Sequence, residues 1–200
     1  MTLPSPIKRL VERLSELPAI GPRQATRLAF YLISRGQNEI HSLAQEIEAL
    51  SKIKICGNCF FIHQNVGNLC DTCADSTRKK DVIAIIEKET DLVSIENTKK
   101  FNGRYLVLGV ISKTGILEDW QKLRLQNLKS FINKDLDGKA EEIILAFSPT
   151  SNGDFNVSLL LKELAPLAKK VTRLGRGLPT GGEIEFADDE TLGEALAKRS

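Results

Sequence analysis

Cys56, Cys59, Cys70 and Cys73 are the only cysteines of the chain, and they form two Cys-x2-Cys pairs ten residues apart. Each pair can grip one side of a metal ion, and together they complete a tetrahedron around Zn²⁺. With all four positions filled by protein, no coordination site is left for water or substrate. Such a centre organises a fold and performs no reaction. The spacing predicts one structural Zn²⁺ per chain. Two disulfides are the alternative, and a reducing compartment disfavours them. His63 falls inside the same loop, but four thiolates leave it unneeded as a ligand.

A second candidate site is basic. Leu17-Pro18-Ala19-Ile20-Gly21-Pro22-Arg23-Gln24-Ala25 lies between two apolar stripes of helical spacing. A Gly-containing turn at the start of a helix presents free backbone N–H groups and the positive end of the helix dipole, which suits a DNA phosphate. Arg23 and Arg27 are four residues apart and share one helix face beside that turn. The plainer reading is a helical hairpin with solvated arginines.

Acidic chemistry is sparse. Glu87 ends an apolar β-branched run, Val82–Ile86, which is where an α/β sheet presents its site. Asp154 follows a later run in Ser148-Pro149-Thr150-Ser151-Asn152-Gly153-Asp154. Two converging carboxylates could hold Mg²⁺ for phosphoryl transfer, yet a pair is thin for that purpose. A polar strand-end loop making caps and protein contacts is the preferred reading. Gly175-Arg176-Gly177-Leu178-Pro179-Thr180-Gly181-Gly182-Glu183 lacks the Gly-Lys-Ser/Thr ending of a nucleotide-binding loop. No Ser-His-Asp set and no spare cysteine offers a nucleophile.

The elements that must position these residues follow from periodicity. Ser5 is expected to cap a first helix carrying Ile7, Leu10, Val11, Leu14 and Leu17. Ala25, Leu28, Ala29, Leu32 and Ile33 predict a second helix ended by Gly36, and Ile40 to Leu50 a third, which holds His41. Beyond Arg78-Lys79-Lys80, strands are expected at Val82–Ile86, Tyr105–Ile111, Ile143–Phe147 and Val171–Leu174. Helical patterns near 91–97, 119–132 and 156–168 alternate with them, which implies a parallel sheet covered on both faces. Trp120 is expected to pack its helix against the sheet. Gly175–Gly182 must be a loop, and Asp189–Lys198 a short closing helix.

Composition sets the outer limits. Two hundred residues at 42% apolar and 27% charged content can bury a real core. The formal charge of +2 is unevenly placed, since residues 1–36 hold six basic and two acidic side chains. A locally basic end on a near-neutral chain suits an anionic partner. Charges scattered through the first seventeen residues argue against a signal peptide, and no eighteen-residue apolar run exists. A cytoplasmic location is the expectation.

The order of these parts resembles the RecR family of bacterial recombination mediators over nearly the whole chain. The residues that carry it are Leu17–Arg23, the cysteine quartet, Phe101-Asn102-Gly103-Arg104-Tyr105, Ile144-Leu145-Ala146 with Pro149-Thr150, and Gly177–Glu185. The resemblance implies an α+β chain in four parts: a helix-hairpin-helix domain over 1–53, a four-cysteine zinc finger over 54–77, a Toprim domain over 78–174 and a C-terminal arm over 175–200. It implies a ring-shaped tetramer around DNA, acting with RecO or RecF to load RecA at gaps coated by single-strand binding protein. By matching position, Arg23 and Arg27 contact DNA, the four cysteines bind zinc, and Glu87 and Asp154 belong to the Toprim acidic cluster, a surface for RecO and DNA.

Four positions depart from the family pattern. Ala19 replaces the first glycine of the hairpin, and Asn152-Gly153-Asp154 stands where the family has Glu-Gly-Glu. The segment after the second strand is shortened to Ile111–Ile116, and Arg176 replaces a histidine. The expectation is a non-enzymatic DNA clamp. Its rivals are an Mg²⁺-dependent Toprim enzyme, for which acids are short, and a zinc adaptor that binds proteins only.

Overall fold

The computed structural model describes residues 3–199. Its residues up to Ile53 form one unit, and those from Lys54 onward a second. In the first unit, α1 (Ser5–Ser15), α2 (Pro22–Arg35) and α3 (Gln37–Ala49) follow the three apolar stripes. Ser5 is the first residue of α1 and makes no cap bond. The preceding Pro4 takes the cap position, and its carbonyl accepts the N–H groups of Ile7 and Lys8 at 3.1 and 3.2 Å. Ala25 and Ala29 of α2 are fully buried. Side chains of that size let α1 and α2 approach closely.

The second unit opens with a small antiparallel ribbon, β1 (Lys54–Ile55) with β2 (Ile62–His63), followed by the single turn α4 (Asp71–Ala74). A parallel four-stranded sheet comes next, built from β3 (Val82–Ile86), β4 (Arg104–Val107), β5 (Ala140–Leu145) and β6 (Ala168–Arg173) in the order β4-β3-β5-β6. The linking helices are α5 (Glu89–Asn97), α6 (Asp119–Asp135) and α7 (Ser151–Leu164), and α8 (Asp189–Ala197) closes the chain.

Alternation along β3 divides the core. Ile83 and Ile85 point into a cluster with Leu125, Ile132, Val157, Leu160 and Leu164 of α6 and α7. Ala84 and Ile86 point the other way, toward Leu92 of α5, Tyr105, Val107 and all four cysteines. The cysteine module therefore fills part of one helix layer.

Several expectations shift. β4 stops at Val107, because Gly109 turns the chain at φ +93°. α7 starts at Ser151, where the Thr150 hydroxyl accepts the Gly153 N–H at 3.1 Å, and gives way at Ala165-Pro166 to a short 3₁₀ turn. Trp120 does not wedge α6 against the sheet: it is 41% exposed and lies over Gly109. The Arg124 guanidinium covers its ring at 4.6 Å.

Candidate functional site

The four cysteine sulfurs lie within 4.8 Å of one another, and each residue is buried. Cys59 and Cys70 are 3.4 Å apart. Sulfurs around a tetrahedral ion with bonds of about 2.3 Å stand about 3.8 Å apart, so the quartet fits one ion. Backbone N–H groups of Phe61 and Cys70 reach the sulfurs of Cys59 and Cys56, both at 3.4 Å, and orient them. Hydrogen bonding to Cys70 and then Cys73 raises the Cys59 thiol, while hydrogen bonding to Cys59 and then Cys73 lowers Cys70. An all-sulfur tetrahedron suits Zn²⁺. His63 stands outside this quartet; its Nδ1 accepts the Asn65 N–H at 3.2 Å.

The module is fixed to the sheet across an edge strand. Phe60, at φ +63°, packs toward the α6 side of the sheet, while Phe61 packs toward the α5 side. Between them runs β4, whose Val107 N–H donates to the Cys59 carbonyl at 2.8 Å. Arg124 completes the join, with its guanidinium on the Phe60 ring at 4.9 Å and one N–H on the Val107 carbonyl at 2.8 Å.

In the first unit, Arg23 and Arg27 lie on the first two turns of α2, and both are exposed. Among the described residues neither has an ion-pair partner. Gly21 caps the helix and Pro22 occupies its first turn, which leaves the end of α2 free of any side-chain cap. The turn before it is kept tight by Ala19 at φ +63° and by the Ile20 N–H on the Leu17 carbonyl at 3.2 Å.

The two acids have separate partners. Glu87 is 8% exposed at the carboxyl end of β3; burial first, then the Asp91 carboxylate, raises its pKa, opposed in part by Lys88 and the Ser148 N–H. Asp154, in the first turn of α7, binds Arg173 and Arg176, and the Arg173 contact is the main reason its pKa is lowered. Arg176 also reaches Glu190 of α8 at 3.0 Å. Among the described residues the cysteines are the one group of three or more candidate metal ligands. Arg173 and the Arg78–Glu96 pair carried no signal in the sequence, because their contacts join residues distant in the chain, whereas Asp91 is a local cap that accepts the Lys88 N–H at 2.9 Å.

Comparison with known proteins follows the same division. A family model described as "RecR, helix-hairpin-helix" matches residues 7–50, "Toprim domain" matches 81–175, and "RecR, C-terminal" matches 177–200. The chain is 38% identical over 198 residues to a protein named "Recombination protein RecR" from Chloroflexus aurantiacus, covering 98% of this chain and 94% of that one. A protein of the same name from Gloeobacter violaceus is 37% identical over 195 residues, covering 97% and 96%. The chain belongs to the RecR family of recombination proteins. Asp154 and Arg176, both singled out in the sequence, are bonded to each other.

Proposed function

We propose that this chain is a DNA-binding recombination mediator without chemistry of its own, which helps load RecA at single-stranded gaps together with RecO or RecF. The observation that carries the reading is the pair of exposed, unpartnered arginines, Arg23 and Arg27, beside an uncapped helix start in a RecR-family hairpin. Both meet phosphates, and the free N–H groups of α2 add a fixed positive pole. The cysteines hold one structural Zn²⁺. Residues 1–53, 54–77, 78–174 and 175–200 act as hairpin, finger, Toprim part and arm. Four copies close into a ring around gapped, single- or double-stranded DNA, in the bacterial cytoplasm. No helix of the described residues is long and apolar enough to cross a membrane.

The Toprim acids serve as a contact surface for the partner protein. Asp154, held by two arginines, has little charge left for a divalent cation. This favours the mediator over an Mg²⁺ enzyme, and the exposed arginines favour it over an adaptor that binds proteins only.

The test is Arg23→Glu with Arg27→Glu. Affinity for gapped DNA should fall at least tenfold, the circular dichroism spectrum should not change, and the salt dependence of what remains should flatten. Unchanged affinity would remove the hairpin from the DNA site.

A further inference from the structure

The edge of the sheet opposite Glu87 is basic. Lys79 and Lys80 enter β3, Lys99 and Lys100 enter β4, and β3 and β4 are neighbours in parallel register. The Lys79 N–H donates to the Asn102 carbonyl at 2.9 Å, so the two connections run side by side at the amino end of the sheet. All four lysines are exposed, and among the described residues none has an ion-pair partner.

Most of the nearby acids are turned to other groups. Glu96 accepts from Arg78 Nη1 at 3.0 Å and from the Tyr105 hydroxyl at 2.6 Å. Asp75 accepts from Thr77 and lies 3.9 Å from Arg78 Nε. Glu141, whose N–H donates to the Asp81 carbonyl at 2.8 Å, is paired with Lys169 at 2.7 Å, which leaves the Asp81 carboxylate as the one unpaired acid beside the lysines among the described residues. The end of α5 welcomes positive charge at Lys99 and Lys100. That accounts for one lysine pair, but not for a second brought beside it by a different connection.

We infer that Lys79, Lys80, Lys99 and Lys100 form a second binding site for the nucleic-acid backbone, distinct from the hairpin arginines. The inference rests on the reading of this chain as a DNA-binding protein. Ammonium groups on flexible stems act as point charges that suit phosphate without reading sequence. Four lysine charges against one unpaired acid, on two adjacent connections, are where a polyanion gains from counterion release. The site would let one strand run along the outer edge of the sheet while the hairpin holds another stretch of the same DNA.

The full chain, loaded with zinc, is acetylated with and without an oligothymidylate, and each lysine is read by peptide mass spectrometry. Labelling of Lys79, Lys80, Lys99 and Lys100 should fall several-fold on DNA binding, while exposed Lys162 of α7 should label equally in both samples. Replacing the four lysines by glutamine should reduce the slope of log affinity against log salt by about 0.7 for each phosphate that is no longer neutralised. The Arg23→Glu, Arg27→Glu chain, at DNA concentrations that still saturate it, should keep the lysines protected. DNA bound with the four lysines fully reactive, or protection given by polyglutamate and not by DNA, would overturn this site and leave the hairpin reading intact. A chain that binds no DNA at all would overturn both.

Discussion

The backbone N–H of Val107 donates to the carbonyl of Cys59 at 2.8 Å, so the cysteine module supplies β4 with a hydrogen bond on its open side. β4 is an edge strand, and an edge left unpaired invites association with other chains. The module covers that edge with Phe60 on one face and Phe61 on the other. Removing the metal, or Cys59→Ser, should therefore expose β4 as well as loosen the finger. Hydrogen exchange should quicken at Val107 by at least tenfold. Leu108, whose N–H is held by the Ile86 carbonyl at 2.8 Å within the sheet, should change much less.

Burial of Glu87 carries a predictable sign. Its carboxyl has a folded pKa above the ordinary 4.5, chiefly through burial, so the folded state binds this proton more tightly than the unfolded chain. Stability is therefore lost as pH rises from 4.5 through the raised folded value, and neutral pH bears the full cost. Glu87→Gln should raise the urea midpoint at pH 7. The gain should vanish as pH falls below 4.5, where both chains are uncharged at this position.

Gly109 and Trp120 occupy each other's space. A Cβ at Gly109 would lie 2.0 Å from Trp120 Cη2, and the glycine sits at φ +93°. Gly109→Ala should cost about 2 kcal/mol, from both overpacking and the left-handed backbone. Trp120 is the only tryptophan of the chain, so its emission reports the displacement directly. A red shift in Gly109→Ala, with melting lowered by a few degrees, is the expected result.

Local chemistry was legible in the sequence, and distant contacts were not. The cysteine quartet is fixed by spacing, and β3 by an unbroken apolar run, β-branched at four of its five positions, between the charged residues Asp81 and Glu87. β5 begins at Ala140, three residues before the expected start, because Glu141 and Glu142 look like loop residues. In the fold Lys169 neutralises the first at 2.7 Å, and Thr172 bonds the second at 2.7 Å, both from the neighbouring β6. Asp154 was readable as an acid at a strand-end loop, but its two arginine partners lie 19 and 22 residues away. By the apolar rule alone Trp120 belongs in the core. The cation of Arg124 and the bare backbone of Gly109 hold it at the surface instead.

Ala19 turns the hairpin at φ +63°, a conformation that glycine adopts without strain. Ala19→Gly relieves about 1–2 kcal/mol of left-handed strain against about 0.4–1 kcal/mol of added freedom in the unfolded chain, so it should stabilise the first unit by about 0.5–1 kcal/mol. A urea titration of the full chain should show it, and a loss of stability would mean that the turn is not strained. Affinity for DNA should stay within twofold, since neither arginine moves.

The most direct measurement of the central claim is to incubate the zinc-loaded chain with Mg²⁺ and end-labelled gapped DNA, then split the sample between native and denaturing gels. The account predicts a shift that weakens steeply with salt, needs at least tenfold more protein in Arg23→Glu with Arg27→Glu, and leaves every strand intact. Strands that are nicked or extended by the wild-type chain, and spared by Asp154→Asn, would contradict it.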